Sequence, residues 1–157
     1  MIHEIQPSVF NNSYRAETPD ADSLMMFVRD NAVLMKETGE GVVFPAYGEV
    51  ETDSYTYLFS VDNTKFFLAE AAEPWGDYVY RDMMEFRFLK PKALAYAAVV
   101  ACHLYRWYSR NRFCGRCGHE MGHDDKERMM RCGHCGNMVY PKISPAIIVG
   151  IKDGDRL

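Results

Sequence analysis

Four of the five cysteines form two nearly identical units, C-G-R-C-G and C-G-H-C-G, with fourteen residues between the inner cysteines. Two cysteines separated by two residues can reach one ion when the backbone between them turns tightly, and zinc favours four thiolates in a tetrahedron. The pattern therefore predicts one zinc ion in a small ribbon, bound by Cys114, Cys117, Cys132 and Cys135. Because four protein ligands close the coordination shell, no position is left for substrate, and the ion is expected to be structural.

The glycines of the two units indicate how the backbone turns around the metal. Gly115 and Gly133 lie between the paired cysteines and are expected to ease the turn. Gly118 and Gly136 follow each second cysteine, where a positive φ is often needed. The intervening segment E-M-G-H-D-D-K-E-R-M-M-R is long enough for one hairpin.

Other assignments of the cysteines fit the pattern less well. A rubredoxin-like iron site would use the same four ligands, but nothing adjacent in sequence indicates an electron-transfer partner. His119, His123 or His134 could replace one cysteine, although they are more typical of exposed loop residues. Two C-x-x-C pairs at this spacing favour a metal over a redox dithiol. Cys102 stands apart in an apolar helical pattern and is expected to be an inert core residue.

The charge distribution gives no indication of a nucleic-acid-binding protein. The net charge is −4, with 10 Lys/Arg and 16 Asp/Glu in residues 1–111 and 8 and 6 in residues 112–157. Four thiolates and one Zn²⁺ add two negative charges to the second segment. Its basic bias is therefore explained as compensation for the thiolate site.

No segment is typical of a secreted or membrane protein. The N-terminus lacks the basic start and the apolar stretch of a signal peptide. The longest apolar run, Ala93–Cys102, has about half the length that a membrane span requires. Because metal-holding cysteine pairs are typical of a reducing compartment, a cytoplasmic location without membrane association is expected.

Residues 1–90 predict a sheet preceded by a loop or a loosely attached arm at 1–23, where no period is visible. Two segments each have Asp-Asn between runs of β-formers, which predicts two hairpins. These segments are L-M-M-F-V-R-D-N-A-V-L-M-K-E and Y-T-Y-L-F-S-V-D-N-T-K-F-F-L-A-E-A. G-V-V-F-P-A-Y-G-E-V predicts a short edge strand disturbed by Pro45. A further strand is expected at Asp77–Arg81 or Glu85–Leu89.

The pattern changes after Lys90, where Pro91 can occupy the first turn of a helix. Apolar residues then recur at three- and four-residue spacing, namely Leu94, Ala97, Ala98, Ala101, Leu104, Tyr105 and Tyr108. This spacing predicts a helix of about five turns that packs an Ala-rich stripe against the sheet. Trp75 and Trp107 are expected to serve in core or interface packing rather than in ligand stacking.

The last segment predicts another strand. Ala146–Lys152 is short and apolar, and Asp153-Gly154 is a strong hairpin turn signal. A return strand would begin about where the sequence stops, and a lone strand of this composition would be an unprotected edge. The chain is therefore expected to be a fragment of a longer protein.

Two stretches of the chain read R-F-C-G-R-C-G-H-E-M and R-C-G-H-C-G-N-M-V-Y-P-K-I-S-P-A-I-I-V-G-I. They resemble the zinc ribbon and first Nudix strand of bacterial NADH pyrophosphatases, a branch of the Nudix hydrolases. The preceding helix is similar to the one that leads into the ribbon in that family, so the resemblance covers about residues 93–155. The cysteine pairs alone are generic, but their combination with Y-P-x-x-x-P and I-I-V-x-I is rather specific.

The resemblance implies an α+β fold with three parts: an N-terminal Nudix-like domain of mixed sheet and helix at 1–110, a zinc ribbon at 111–140, and a linker with the first strand of a truncated catalytic Nudix domain at 141–157. The family catalyses with the box G-x5-E-x7-R-E-U-x-E-E-x-G-U, whose glutamates hold Mg²⁺ or Mn²⁺. The sequence contains no Arg-Glu and no Glu-Glu pair. No catalytic residue can therefore be assigned, and the chain alone is expected to be inactive.

The whole enzyme implied by the resemblance hydrolyses NADH, NAD⁺ or an NAD cap on RNA to a nicotinamide mononucleotide part and AMP, and the choice among these substrates stays open. Tyr140 resembles a tyrosine that stacks on the nicotinamide ring in a pocket completed across a homodimer. Packing on the ribbon is the alternative role of Tyr140. Stacking an aromatic face on a flat heterocycle is physically reasonable.

A zinc-ribbon module that binds nucleic acid or protein without enzymatic activity is the alternative function. It would use the basic residues around the ribbon, namely Arg112, Arg116, Arg128, Arg131 and Lys142. These cations are interleaved with acidic residues, and no aromatic platform accompanies them. The sequence therefore favours the enzyme fragment.

Overall fold

The computed structural model describes residues 2–143, 147–152 and 154, and in that part ten strands form two sheets around one α-helix. The larger sheet consists of β1 Phe10–Asn11, β2 Leu24–Arg29, β3 Ala32–Thr38, β4 Gly41–Val43, β5 Tyr55–Val61, β6 Thr64–Ala69 and β7 Val79–Asp82. Helix α1 spans Lys92–Arg110, and the smaller sheet consists of β8 Met121–His123, β9 Met130–Cys132 and β10 Met138–Val139. Short 3-10 helices lie at Tyr47–Glu49 and Glu85–Phe88. The fold is α+β, as predicted.

Both predicted hairpins are present. β2 and β3 pair antiparallel across Asp30-Asn31, and β5 and β6 pair antiparallel across Asp62-Asn63. The two aspartates have φ values of 54° and 53°. Aspartate tolerates this left-handed region better than most residues because its short polar side chain can bond to the local backbone. The turn chemistry is thus the reason that sequence reasoning located both hairpins.

The larger sheet has the order β1-β5-β6-β2-β3-β4, with β7 paired to β3. β2 and β6 are parallel, so the two hairpins meet side by side. β4 lies at the end of this order and stops before Pro45, which confirms the predicted edge strand. Both faces are covered, because Met26 and Val28 belong to one buried cluster and Met25 and Phe27 to the other.

Helix α1 covers one face of the sheet through its small side chains. Its 19 residues bury a stripe that includes Ala97, Ala98 and Ala101, which confirms the predicted helix and its packing face. Cys102 is 0% exposed, and desolvation raises the pKa of its thiol to about 12, which agrees with an inert core position. No helix in the described part of the chain is long and apolar enough to cross a membrane.

The N-terminal arm and the segment before α1 differ from expectation. The arm is not loose, because Phe10 contacts Tyr96 with ring centroids 5.2 Å apart and Glu17 pairs with Lys65 at 2.8 Å. A strand is present at Val79–Asp82, close to the first of the two expected positions, whereas the second is a 3-10 helix at Glu85–Phe88. Phe86 of that helix is buried, and the turn forms a local backbone hydrogen bond from the Leu89 N–H to the Phe86 carbonyl. The segment therefore does not depend on a neighbouring strand for its hydrogen bonds.

The strand predicted at Ala146–Lys152 is wrong for the residues that the structure describes. Residues 147–152 contain no strand, and Ile147 and Ile148 are 85% and 103% exposed. A strand needs a neighbour for its backbone hydrogen bonds, and no described residue pairs with this segment. Ala146 and Asp153, which belong to the predicted strand and turn, lie outside the described residues.

Candidate metal centre

The two cysteine units fold into equivalent backbone turns. In each, the N–H of the glycine after the second cysteine donates to the first cysteine's carbonyl, at 2.8 Å for Gly118 and 3.0 Å for Gly136. These glycines have φ values of 75° and 71°, which confirms the predicted need for a positive φ. Gly115 and Gly133 lack such φ values and face open space, so the turn does not require glycine between the cysteines.

The turns bring the four predicted ligands together. The sulfurs of Cys114, Cys117, Cys132 and Cys135 all lie within 4.8 Å of one another. Cys114 Sγ is 3.6 Å from Cys135 Sγ, and Cys117 Sγ is 3.5 Å from Cys132 Sγ. A tetrahedron with Zn–S bonds near 2.3 Å has sulfurs about 3.8 Å apart. The sulfur arrangement therefore fits a tetrahedral ion with a small adjustment.

The electrostatics of the four thiols also favour a cation. Desolvation opposes ionisation of Cys114, but N–H groups of the Arg116 and Cys117 backbone lower its pKa to about 6. The backbone of His119 favours ionisation of Cys117, yet desolvation and the three neighbouring sulfurs raise its pKa to about 12. Thiolates this close repel one another, so all four can be ionised together only when a cation neutralises them.

A small three-stranded sheet carries the two turns. β8 and β9 form the predicted hairpin, and β10, which sequence reasoning missed, pairs with the other edge of β9. β10 is only two residues long, Met138–Val139, and such a short element leaves no period in the sequence. Cys132 ends the central strand, so the sheet fixes one of the ligands directly.

The histidines near the site are not part of the four-sulfur cluster. His119 and His134 are exposed, as expected, and their rings stack 3.8 Å apart. With Cys117 they form a second group whose ligand atoms lie within 4.8 Å of one another. His123 lies in strand β8 rather than in a loop and stacks on Tyr108 at 4.9 Å.

Arg128 connects the ribbon to the N-terminal arm and sheet through hydrogen bonds. Its guanidinium donates to the Leu58 carbonyl of β5 and to the Asn12 side chain of the arm. It also lies 5.7 Å from the ring centre of Tyr14, whose hydroxyl donates to the Asp124 carbonyl at 3.0 Å. Desolvation lowers the pKa of Arg128, and no ion pair to a carboxylate is present within the described residues. The alternative function would place Arg128 on a binding surface, whereas these contacts place its guanidinium between the ribbon and the N-terminal sheet.

Two further basic residues of the alternative function, Arg131 and Lys142, lie in different surroundings. Arg131 pairs with Asp124 at 3.3 Å, and Lys142 lies beside helix α1 in a cleft with Arg106 and Arg110. Two of the five basic residues of the alternative function, Arg128 and Arg131, therefore already have partners within the chain.

Tyr140 follows β10 and is 48% exposed. Its hydroxyl donates to Glu127 Oε2 at 2.7 Å, and this bond raises the pKa of Tyr140. Its ring lines a shallow depression that also includes Met129, Met138 and Arg131. Both tryptophans have aromatic packing contacts: Trp75 contacts Phe27 and Tyr78, and Trp107 contacts Tyr108 at 4.6 Å.

Gly118→Ala is expected to weaken zinc binding about tenfold, whereas Gly115→Ala leaves it nearly unchanged. An L-residue in the left-handed region costs about 1–2 kcal/mol, and only Gly118 has a positive φ. Neither added Cβ would meet another atom within 4 Å. A comparison of the two variants therefore isolates the effect of backbone conformation on zinc affinity. Competition with a chromophoric chelator measures both affinities, and equal affinities for the two variants would contradict this account.

Comparison with known proteins agrees with the geometry. Residues 109–140 match the family described as the NADH pyrophosphatase zinc ribbon domain. The NAD-capped RNA hydrolase NudC of Pseudomonas aeruginosa strain LESB58 is 42% identical over 64 residues, which are 41% of this chain and 22% of the relative. NudC of Yersinia pestis strain Pestoides F is 44% identical over 54 residues, which are 34% and 21% of the two chains.

The alignments thus span about a fifth of the length of these relatives. The family match at residues 109–140 covers the part of the chain in which two turns, three short strands and four sulfurs form one unit. Residues 109–140 therefore match the NADH pyrophosphatase zinc ribbon family in sequence and bring together the four cysteines, as the resemblance predicted.

Proposed function

We propose that this chain supplies the N-terminal domain and zinc ribbon of an NAD(H) diphosphatase. The whole enzyme would hydrolyse NADH, NAD⁺ or the NAD cap of an RNA to a nicotinamide mononucleotide part and AMP. The observation that carries the proposal is the family match at residues 109–140, and relatives that share part of this sequence are named NAD-capped RNA hydrolases.

In this proposal the chain has three parts. Residues 1–110 are a Nudix-like scaffold domain, residues 111–140 the ribbon, and residues 141–157 the linker into a catalytic Nudix domain. The 157 residues contain no Nudix box, so the glutamates and their Mg²⁺ or Mn²⁺ belong to residues outside them. Homodimerisation and a cytoplasmic location complete the proposal, and the paired metal-binding cysteines support a reducing compartment.

The zinc ion in this proposal is held by Cys114, Cys117, Cys132 and Cys135, and its role is structural. Zn²⁺ supplies the positive charge that lets four crowded thiolates coexist. The cysteines orient the two turns, and the turns position β8, β9 and β10. The Arg128 contacts with Leu58 and Asn12 support a role for the ribbon as a clamp on the N-terminal domain.

Tyr140 in this proposal faces the nicotinamide ring. Its ring is half exposed, and the hydroxyl bond to Glu127 holds the ring in one orientation. A held, exposed aromatic face can stack on a heterocycle at little further entropic cost.

The activity is tested by extending the chain with the coding sequence that follows residue 157 in its gene. The longer protein is expected to cleave NADH to nicotinamide mononucleotide and AMP when Mg²⁺ is present, because the glutamates that hold the metal lie there. Residues 1–157 alone are expected to show no turnover. Clear turnover by residues 1–157, or a downstream sequence without a Nudix box, would contradict the proposal.

In that longer enzyme, Tyr140→Ala is expected to raise the KM for NADH about tenfold, because stacking on a base contributes about 1–3 kcal/mol. Tyr140→Phe is the matched control, since it keeps the ring and removes only the bond to Glu127. Near-normal KM in Tyr140→Phe supports stacking. Equal KM values in wild type and Tyr140→Ala would rule out the nicotinamide role.

A further inference from the structure

An open cleft of about 660 Å³ lies along helix α1, away from the four sulfurs. The arm contributes Phe10 and Asn12 to one side, and the segment after the ribbon contributes Pro141 and Lys142. The helix forms the floor. Three separate parts of the chain therefore converge on this one space, whose volume is in the range of small-molecule sites.

The cleft carries an unbalanced positive charge. Arg106 and Arg110 lie four residues apart on one helix face, and Lys142 lines the same cleft from the segment after the ribbon. None of the described residues that line the cleft is acidic. Helix α1 contains no Asp or Glu, although the chain has 22 of them.

Contacts within the chain involve only some of these cations. Arg106 donates to the Asn31 side chain and to Met83 Sδ, and both of these partners are neutral. Arg110 and Lys142 are exposed, and no ion pair joins either of them to a described residue. Desolvation and the nearby charge of Arg106 lower the pKa of His103, as expected in an electropositive space.

The helix dipole explains only one side of the cleft. Cations are favoured in the last turn of a helix, which accounts for Arg110. Lys142 belongs to no helix, and like charges that line one cleft without an anion repel. An anionic ligand between Arg110 and Lys142 would remove that repulsion with charge-assisted hydrogen bonds.

The wall of the cleft is aromatic. Phe10, Tyr96 and Trp107 are half-buried, and the Phe10 ring meets the Tyr96 ring at an angle of 81°. Partly exposed aromatic rings are surfaces on which bases stack. The cleft thus offers cations and aromatic surface side by side.

We propose that this cleft binds a nucleotide, with its phosphate between Arg110 and Lys142 and its base against the aromatic wall. The site is separate from the zinc centre and from Tyr140, and its occupation requires no catalysis. Its existence therefore does not depend on the diphosphatase activity proposed above.

Trp107 allows binding to be measured directly. The chain has two tryptophans, so Trp75→Phe leaves Trp107 as the single fluorophore. The probes are AMP, inorganic pyrophosphate and a short 5′-phosphorylated oligoribonucleotide. Saturable quenching by AMP is expected if a free nucleotide is the ligand, and quenching by the oligonucleotide alone identifies an RNA end as the source. Quenching by neither, or by pyrophosphate only, would overturn the proposal.

Variants test the position of the phosphate. Arg110→Gln and Lys142→Gln are each expected to weaken binding about tenfold, because each removes one charge-assisted contact. Lys92→Gln is the matched control, since it removes a cation at the other end of the same helix. Equal weakening in all three variants would indicate diffuse attraction and overturn the assignment, and circular dichroism checks that each variant is folded.

Discussion

Removal of zinc is expected to unfold residues 111–140 and to leave the larger sheet folded. The ribbon has strands of three, three and two residues, and its buried apolar side chains besides cysteine are Met121, Met129 and Met130. So small a core cannot offset the entropy of ordering the segment. Structural zinc contributes about 10–16 kcal/mol in modules of this kind, so metal binding is the main source of the ribbon's stability.

Hydrogen exchange with and without a chelator measures this effect locally. Amides of β8 and β9 are expected to lose protection without zinc, while amides of β2, β5 and β6 keep it, because the sheet has its own core around Phe59 and Phe66. Elemental analysis of the untreated protein distinguishes zinc from iron. Protected ribbon amides in metal-free protein would show that the ribbon folds without the ion.

Two cysteine substitutions distinguish the loss of a metal ligand from the general effect of changing a buried cysteine. Cys114→Ser is expected to abolish stoichiometric zinc binding and to unfold the ribbon as the chelator does. Cys102→Ala changes a cysteine that is also buried but lies in helix α1 and is not one of the four clustered cysteines. It is expected to keep one zinc per chain and to cost about 1 kcal/mol of global stability. Loss of zinc from both variants would contradict a separate metal module.

Local chemistry explains which features were predictable from sequence. The Asp-Asn turns, the alanine stripe of α1 and the C-x-x-C units each combine residue type with a fixed spacing, and each is present as predicted. In these cases short-range physics determines the structure, because a left-handed turn or a helical face needs only neighbours within a few positions.

The features that sequence reasoning missed depend on distant residues. Arg128 is separated from Leu58 by 70 positions and from Asn12 by 116, so no local pattern reveals the contact. The alternative function would use its charge to bind nucleic acid, yet the carbonyl of Leu58 and the side chain of Asn12 accept its hydrogen bonds. The cleft beside α1 was missed for the same reason, because its cations come from two segments.

Gly41→Ala is expected to destabilise the chain by about 3 kcal/mol or more. Gly41 begins β4 with a φ of 124°, a conformation that L-residues rarely adopt. An added Cβ would overlap the Lys90 carbonyl oxygen and lie 2.8 Å from its carbon. That carbonyl cannot move freely, because it accepts the Val42 N–H at 2.7 Å and thereby joins β4 to the start of α1. Positive φ and backbone overlap each cost about 1–3 kcal/mol.

Gly39→Ala is the matched control for Gly41→Ala, two residues earlier in the same turn. Gly39 has no positive φ, and its added Cβ would meet nothing within 4 Å. Its substitution is therefore expected to change stability by less than about 1 kcal/mol, or to stabilise slightly by restricting the unfolded chain. Urea unfolding followed by circular dichroism compares the two variants. Similar midpoints would mean that β4 can move away from Lys90, and that the contact between β4 and the start of α1 is not a rigid part of the fold.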